Sequence, residues 1–219
     1  MTGMAGRIAR EAAALGIDGR RPLLVHASLR SLGDPHPSPD EVIDGLLAAL
    51  DGAALVFPTL SYRYCGPDHP RYDVRKTPSN VGALPECFRL REGVLRSVSP
   101  THSCAALGDG AEWLTEGHIQ DTTPCGPNSP FRRLMEMGGR VLFLGSGTNC
   151  NTSMHAVEEL VVPDYLFGEM YDYIAVLSDG RMVKKRCRRH DFAGWAQRYD
   201  RLPPLMPEGT LRRGRILDA

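Results

Sequence analysis

No stretch of the 219 residues approaches the roughly 18 to 20 consecutive apolar residues that a membrane-spanning helix needs. The N-terminal M-T-G-M-A-G-R-I-A-R also lacks the apolar core of a secretory signal. Net charge is missing too: 26 Lys and Arg face 26 Asp and Glu, so no global field draws in nucleic acid. The six cysteines (Cys65, Cys87, Cys104, Cys125, Cys150 and Cys187) form no C-x-x-C pair and no zinc-ligand spacing. Without a secretory signal nothing favours disulfides between them, and they are expected to be reduced thiols. No internal repeat or low-complexity run is visible. These absences predict a cytoplasmic protein with neither a membrane nor a nucleic acid as partner.

What is present is an ordinary globular composition, 42% hydrophobic and 24% charged, in a chain long enough to bury its core in one domain over residues 1–219. G-R-I-A-R-E-A-A-A-L-G-I spaces apolar residues at helical intervals and stops at Gly16. Residues 22–28, P-L-L-V-H-A-S, suit a buried strand that delivers His26 and Ser28 to a sheet edge. Ser38, Pro39 and Glu41 carry the signature of a capped helix over 38–50, and 54–59 form a second buried strand. Residues 61–77 read as an irregular loop or small lid. A helix capped by Ser79 or Asn80 is expected through Arg91. Strand patterns in V-L-R-S and S-C-A-A-L-G follow, then helices over 111–118 and 129–137 and a strand over 141–145. Asn151 or Thr152 opens a further helix. Tyr171–Leu177 and Arg181–Arg188 flank Ser178-Asp179-Gly180, a hairpin signal, and a helix is expected over 191–201. The sum is an α/β fold of mixed sheets with interleaved helices and a late β-hairpin.

Three strand ends converge in this reading: His26 to Ser28, Thr101 to Ser103, and the 145–152 loop with its helix. Ligand sites of α/β sheets favour such ends. On the last helix His155 and Glu158 share a face while Glu159 points about 100° away. That placement would let Glu158 reach His102 and stabilise its protonated ring. The basic run Lys184 to His190 is either the solvated face of a strand or a lure for phosphate.

Six blocks in order then resemble the antibiotic N-acetyltransferase family, whose best-known members are aminoglycoside 3-N-acetyltransferases. They are V-H-A-S-L-R-S-L-G, F-P-T-L-S, T-P-S-N-V-G-A-L-P-E-C-F-R, R-S-V-S-P-T-H-S-C-A-A-L-G, G-P-N-S-P-F-R-R-L and V-L-F-L-G-S-G-T-N-C-N-T-S-M-H-A-V-E, with a fainter echo in L-R-R-G-R-I-L-D-A at the end. The resemblance implies direct acetyl transfer from acetyl-CoA to a small-molecule amine, most naturally the 3-amino group of an aminoglycoside, with no metal. A homodimer is compatible with it. It implies His102 as general base and Glu158 as its orienting partner, an imidazole of pKa near about 7 accelerating the step typically 10²- to 10⁴-fold. It places CoA against Ser28, Leu29, Arg30, Ser31, Ser79, Val81, Gly82 and Ser103. Backbone N–H groups around Ala27 to Leu29 are expected to receive the charge that develops on the thioester oxygen, and those opening the Ser79 helix to suit a pyrophosphate.

The chain departs from the family pattern at Ser99, commonly histidine, at Thr101, and in the Asn149-Cys150-Asn151 loop. These departures bear on the substrate, and Asp68, Asp73, Glu159, Asp164, Glu169 and Asp172 are the acids on hand for a polycation. A phosphate- or phosphonate-bearing amine is the competing substrate. Two further readings are a hydrolase using Ser28 or Cys104, against which no G-x-S-x-G elbow is present, and a catalytically silent CoA-binding module.

Overall fold

Two sheets of unequal size carry the chain in a computed structural model that describes residues 3–33 and 36–219. The helices are α1 (Gly3–Ala14), α2 (Pro39–Leu50), α3 (Ala83–Arg89), α4 (Ala111–Thr115), α5 (Pro130–Glu136) and α6 (Met154–Val161). The strands are β1 (Leu23–Ala27), β2 (Leu55–Pro58), β3 (Arg71–Asp73), β4 (Leu95–Arg96), β5 (Cys104–Leu107), β6 (Arg140–Leu144), β7 (Phe167–Val176) and β8 (Met182–His190). The larger sheet runs β4-β5-β2-β1-β6 and the smaller β3-β7-β8. In the larger, β1 is parallel to both β2 and β6, while β5 is antiparallel to β2 and to β4. The α/β class with mixed sheets and a late hairpin is what the sequence predicts.

The central strands are apolar but for His26 near the end of β1, because both faces are covered. Leu23, Val25, Leu55 and Phe57 pack under α1, α2 and α3 with Ile8, Leu46 and Phe88, while Leu24, Val56 and Ala106 turn to the other face against Leu114, Phe131 and Leu134. Ser38 caps α2 as predicted: its hydroxyl accepts from the Glu41 N–H, and the Glu41 carboxylate accepts from the Ser38 N–H. The C-terminal L-R-R-G-R-I-L-D-A is tied in as well. Ile216 and Leu217 enter the main core, and the Leu217 N–H donates to Glu11 Oε2 at 2.6 Å.

Four expectations give way. Residues 61–77 hold β3, a three-residue strand whose parallel pairing with β7 has no local signal. The helix expected from Ser79 begins at Ala83 with Gly82 at its N-cap, where φ is +123°, a conformation that favours glycine. The last helix of the larger sheet starts at Met154 behind Ser153, after a 3₁₀ turn over Thr148–Cys150. The helix over 191–201 is absent: Phe192 and Ala193 have φ of 60° and 44°, and the segment is broken into 3₁₀ turns. The hairpin stands as predicted, with β7 reaching back to Phe167.

The two sheets are bound by buried polar contacts. Tyr72 OH donates to the Ser97 carbonyl at 3.0 Å. Lys185, 3% exposed, spends all three N–H bonds on the carbonyls of His118, Ile119 and Asp121. The basic run is thus a strand in alternation, Lys184, Arg186 and Arg188 outward and Lys185 and Cys187 inward.

Candidate active site

The carboxyl ends of β1, β2 and β6 open on a cavity of about 570 Å³, within the range of small-molecule sites. The three strand ends singled out in the sequence meet here. Val25, His26 and Ala27 come from β1, Thr101 and His102 from the approach to β5, and Ser146 and Asn149–Thr152 from the loop after β6, which leads to His155 on α6. Gly145 turns that loop: φ is +64°, and a Cβ there would lie 2.6 Å from Ser31 Cβ, so only glycine lets the loop close on the 28–31 turn. The smaller sheet supplies Arg189 and His190, and the broken C-terminal segment supplies Phe192 and Tyr199.

The pairing of His102 with Glu158 does not form. His102 Nδ1 bonds its neighbour Thr101 Oγ1 at 2.8 Å, and its backbone N–H donates to Ser99 Oγ at 3.3 Å. Glu158 instead accepts from His155 Nδ1 at 2.8 Å and from Tyr199 OH at 2.7 Å. The reason is local: residues three apart on one helix meet without crossing the site. Burial pushes the Glu158 carboxyl up, but the bonds from His155 and Tyr199 outweigh it and hold the group below the ordinary carboxylate range. Burial and its bond to Glu158 push the Tyr199 phenol up, so it stays protonated and donates. The His102 ring lies 5.9 Å from that of His155, edge to face. Burial, reinforced by His190 and His155, drives the His102 pKa well below 6.5 rather than leaving it near 7, because a charge there would be largely desolvated with no carboxylate bonded to it.

Nothing in the sequence signals Tyr199, Phe192 or the entry of His190 into the site. His190 arrives from the end of the basic strand, its ring 4.8 Å from His102 and 4.9 Å from His155. Its Nε2–H donates to Glu159 Oε1 at 2.8 Å. Glu159 also accepts from Thr123 Oγ1 at 2.5 Å and Cys125 N–H at 2.8 Å, which removes it from the acids available to a cationic substrate. Among the described residues that line the cavity none is Asp or Glu, and Arg189 is its fixed cation. Next to it, a smaller cavity of about 170 Å³ is lined by Glu158, Tyr165, Trp195 and Tyr199.

The expected CoA residues divide. Ser28 and Ser31 form a polar turn with their hydroxyls 3.0 Å apart, beside exposed Arg30. The Ser28 N–H is committed to the Leu144 carbonyl at 2.9 Å, which takes it out of the oxyanion role. Leu29 and Arg30 open a 3₁₀ turn, so their N–H groups have no partner within it. Val81 lines the cavity. The Ser79 N–H donates to Glu86 Oε2 at 2.7 Å and so cannot serve a pyrophosphate. Ser103 is fully buried, and its hydroxyl bonds the Thr59 carbonyl and the Arg96 guanidinium. Cys104 is sealed, with burial raising its thiol well above the ordinary range, so it offers no thiolate nucleophile.

A family model described as aminoglycoside 3-N-acetyltransferase matches residues 24–219. The aminoglycoside N(3)-acetyltransferase VII of Streptomyces paromomycinus is 33% identical over 223 residues, covering 93% of this chain and 75% of that protein. The crystal structure of the aminoglycoside acetyltransferase AAC(3)-Xa superposes with a TM-score of 0.77 at 30% identity, covering 94% of this chain and 77% of that one. AAC-IIIb in binary complex with CoASH gives 0.71 at 27% identity, covering 86% and 76%. A match across almost the whole chain, with the same fold in solved relatives, means that the chain belongs to the aminoglycoside 3-N-acetyltransferase family of acyltransferases.

Proposed function

We propose that the protein transfers an acetyl group from acetyl-CoA to an aminoglycoside, at the 3-amino group, in a reducing compartment, the cytoplasm. The observation that carries the reading is the His155–Glu158 hydrogen bond at the wall of the cavity. A carboxylate on Nδ1 fixes the tautomer, leaves the Nε2 lone pair for the cavity, and stabilises the ring once it is charged. An aminoglycoside amine is largely protonated near neutral pH and must shed a proton to attack a thioester. His155 accepts that proton, Glu158 and Tyr199 hold the ring through the change of charge, and His102 and Phe192 exclude water beside it.

The names of the relatives supply the substrate, and the smaller cavity beside the main one offers it a carboxylate. Ammonium groups of a polycation find a carboxylate and aromatic faces in Glu158, Tyr165, Trp195 and Tyr199. The turn over Ser28–Ser31 fits the acyl donor, with two unspent amides, two hydroxyls and the cation of Arg30 for phosphate oxygens. Val81, which lines the cavity, and Gly82 next to it are assigned to the same donor. Six free cysteines agree with a reducing compartment.

A second assignment of the base, His102, rests on one observation: its ring lines the cavity with Nδ1 held by Thr101. Its depressed basicity and lack of a carboxylate make it the weaker acceptor. Thiol release from acetyl-CoA, followed over a panel of aminoglycosides and unrelated amines, tests the activity. Release that depends on an aminoglycoside is the expected result, and release only with other amines, or none, would refute it. Comparing His155→Ala with His102→Ala in the same assay separates the two bases.

A further inference from the structure

Three imidazoles meet in this cavity, and each is anchored on one side only. His155 Nδ1 is held by Glu158, His190 Nε2 by Glu159 and His102 Nδ1 by Thr101. The opposite nitrogens are unspent. His190 Nδ1 is buried without any hydrogen-bond partner, an arrangement that leaves its desolvation uncompensated. All three residues offer a ring nitrogen within 4.8 Å of the others. Among the described residues one other group meets this criterion, Cys125, Glu159 and His190, but Cys125 is sealed and Glu159 already accepts three hydrogen bonds.

An imidazole that donates one N–H to a fixed oxygen and keeps its other nitrogen free is the arrangement of a metal-bound histidine, the anchored side setting the tautomer and raising ligand basicity. Three nitrogens about 2.1 Å from a tetrahedral ion lie about 3.4 Å apart, so small ring rotations close the cluster. The carboxylates behind His155 and His190 offset the charge of a cation, and Arg189 in the same cavity opposes it. The fourth position would face the cavity.

We propose that His102, His155 and His190 form a binding site for a divalent transition metal, with Zn²⁺ the best-fitting ion, coordinated through the nitrogen of each ring opposite its anchored one. No bond to carbon changes and no electron moves: the ion takes three lone pairs and keeps an open position for water or another small ligand. One consequence rests on the transferase reading. An ion that holds the lone pair of His155 withdraws the proton acceptor, so Zn²⁺ would inhibit transfer reversibly.

The test is calorimetric titration of ZnCl₂ into the chelator-treated full chain, without amine or CoA, paired with the visible absorption of Co²⁺ added in its place. One equivalent should bind, with the intense Co²⁺ bands of a low-coordinate nitrogen site. His155→Ala should weaken binding at least about 100-fold, and Glu159→Ala about 10- to 100-fold through loss of the His190 anchor. Cys150→Ser should leave it unchanged. If His190→Ala fails to fold, His155→Ala still decides, since that ring is only half-buried. Absence of uptake, uptake that survives His155→Ala, or uptake that tracks Cys150 would overturn the site. A negative titration leaves the thiol-release result untouched, so the two readings fail separately. Zn²⁺ that binds as described yet leaves turnover unaltered would overturn the sharing of His155 between metal and amine chemistry.

Discussion

His118 and His155 sit in two regions that differ in how their ring nitrogens are used. At the seam between the sheets, His118 is 1% exposed with both nitrogens spent, Nδ1 on Ser97 Oγ at 2.9 Å and Nε2 on the Pro124 carbonyl at 3.0 Å. Beside it Lys185 is saturated by three carbonyls, and Arg96 donates to Thr59, Val74 and Thr77. In the cavity, by contrast, His102, His155 and His190 are each bonded on one side and unspent on the other. The seam holds the sheets together because His118, Lys185 and Arg96 use their nitrogens on partners. The cavity can do chemistry because its imidazoles each keep one nitrogen unspent.

That contrast can be broken by substitution. His155→Ala should lower the acetyl-transfer rate by at least about 10²-fold with little change in melting temperature. A rate within a factor of two of the parent would remove the ring from the reaction. Lys185→Ala strands three carbonyls at the seam and should cost about 2 to 4 kcal/mol of unfolding free energy. Turnover per folded molecule should stay close to that of the parent, and denaturant melts with active-site titration measure both.

Acid should act on buried imidazoles of both regions. Burial, with Lys185 beside it, lowers His118 to about 3, and burial, with His155 nearby, lowers His26 to about 4. Above pH of about 6.5 each ring is neutral folded or unfolded and adds nothing. Below it the unfolded chain binds protons that the folded one refuses, so stability falls as pH drops from about 6.5 toward 4. Melts across that window should show the slope flattened in His118→Asn, provided the variant folds. Glu158→Gln should reduce turnover about 10-fold, less than loss of the ring itself, because the amide still accepts from His155 while the charge is gone. Smallest is Ser38→Ala: loss of the α2 cap should cost about 1 kcal/mol and leave the kinetic constants alone.

The cores and caps could be read directly. Ser38, Pro39 and Glu41 specify the start of α2 by chemistry confined to four residues, and Leu23–Ala27, interrupted only by His26, and Leu55–Pro58 announce buried strands by apolar character. The helix starts at Ala83 and not behind Ser79, which is a good cap by type but has its amide drawn to Glu86 by a fold-level contact. Tyr199 lies in a segment of 3₁₀ turns where the sequence predicts a helix. Pattern favours a helix there, but Phe192 takes up positive φ where its ring packs 5.1 Å from that of His155.

By itself the sequence determined which residues could do the work: the alternation of strands and helices, the family blocks, and a histidine with a glutamate three positions later on one helix face. Local periodicity is enough for these because each depends on neighbours along the chain. Only the tertiary structure decided which imidazole the carboxylate braces, and that His190 and Tyr199 join from distant segments. Side-chain hydrogen bonds form over about 3 Å of space, and which groups come that close is set by how the two sheets pack, a fact no stretch of sequence contains.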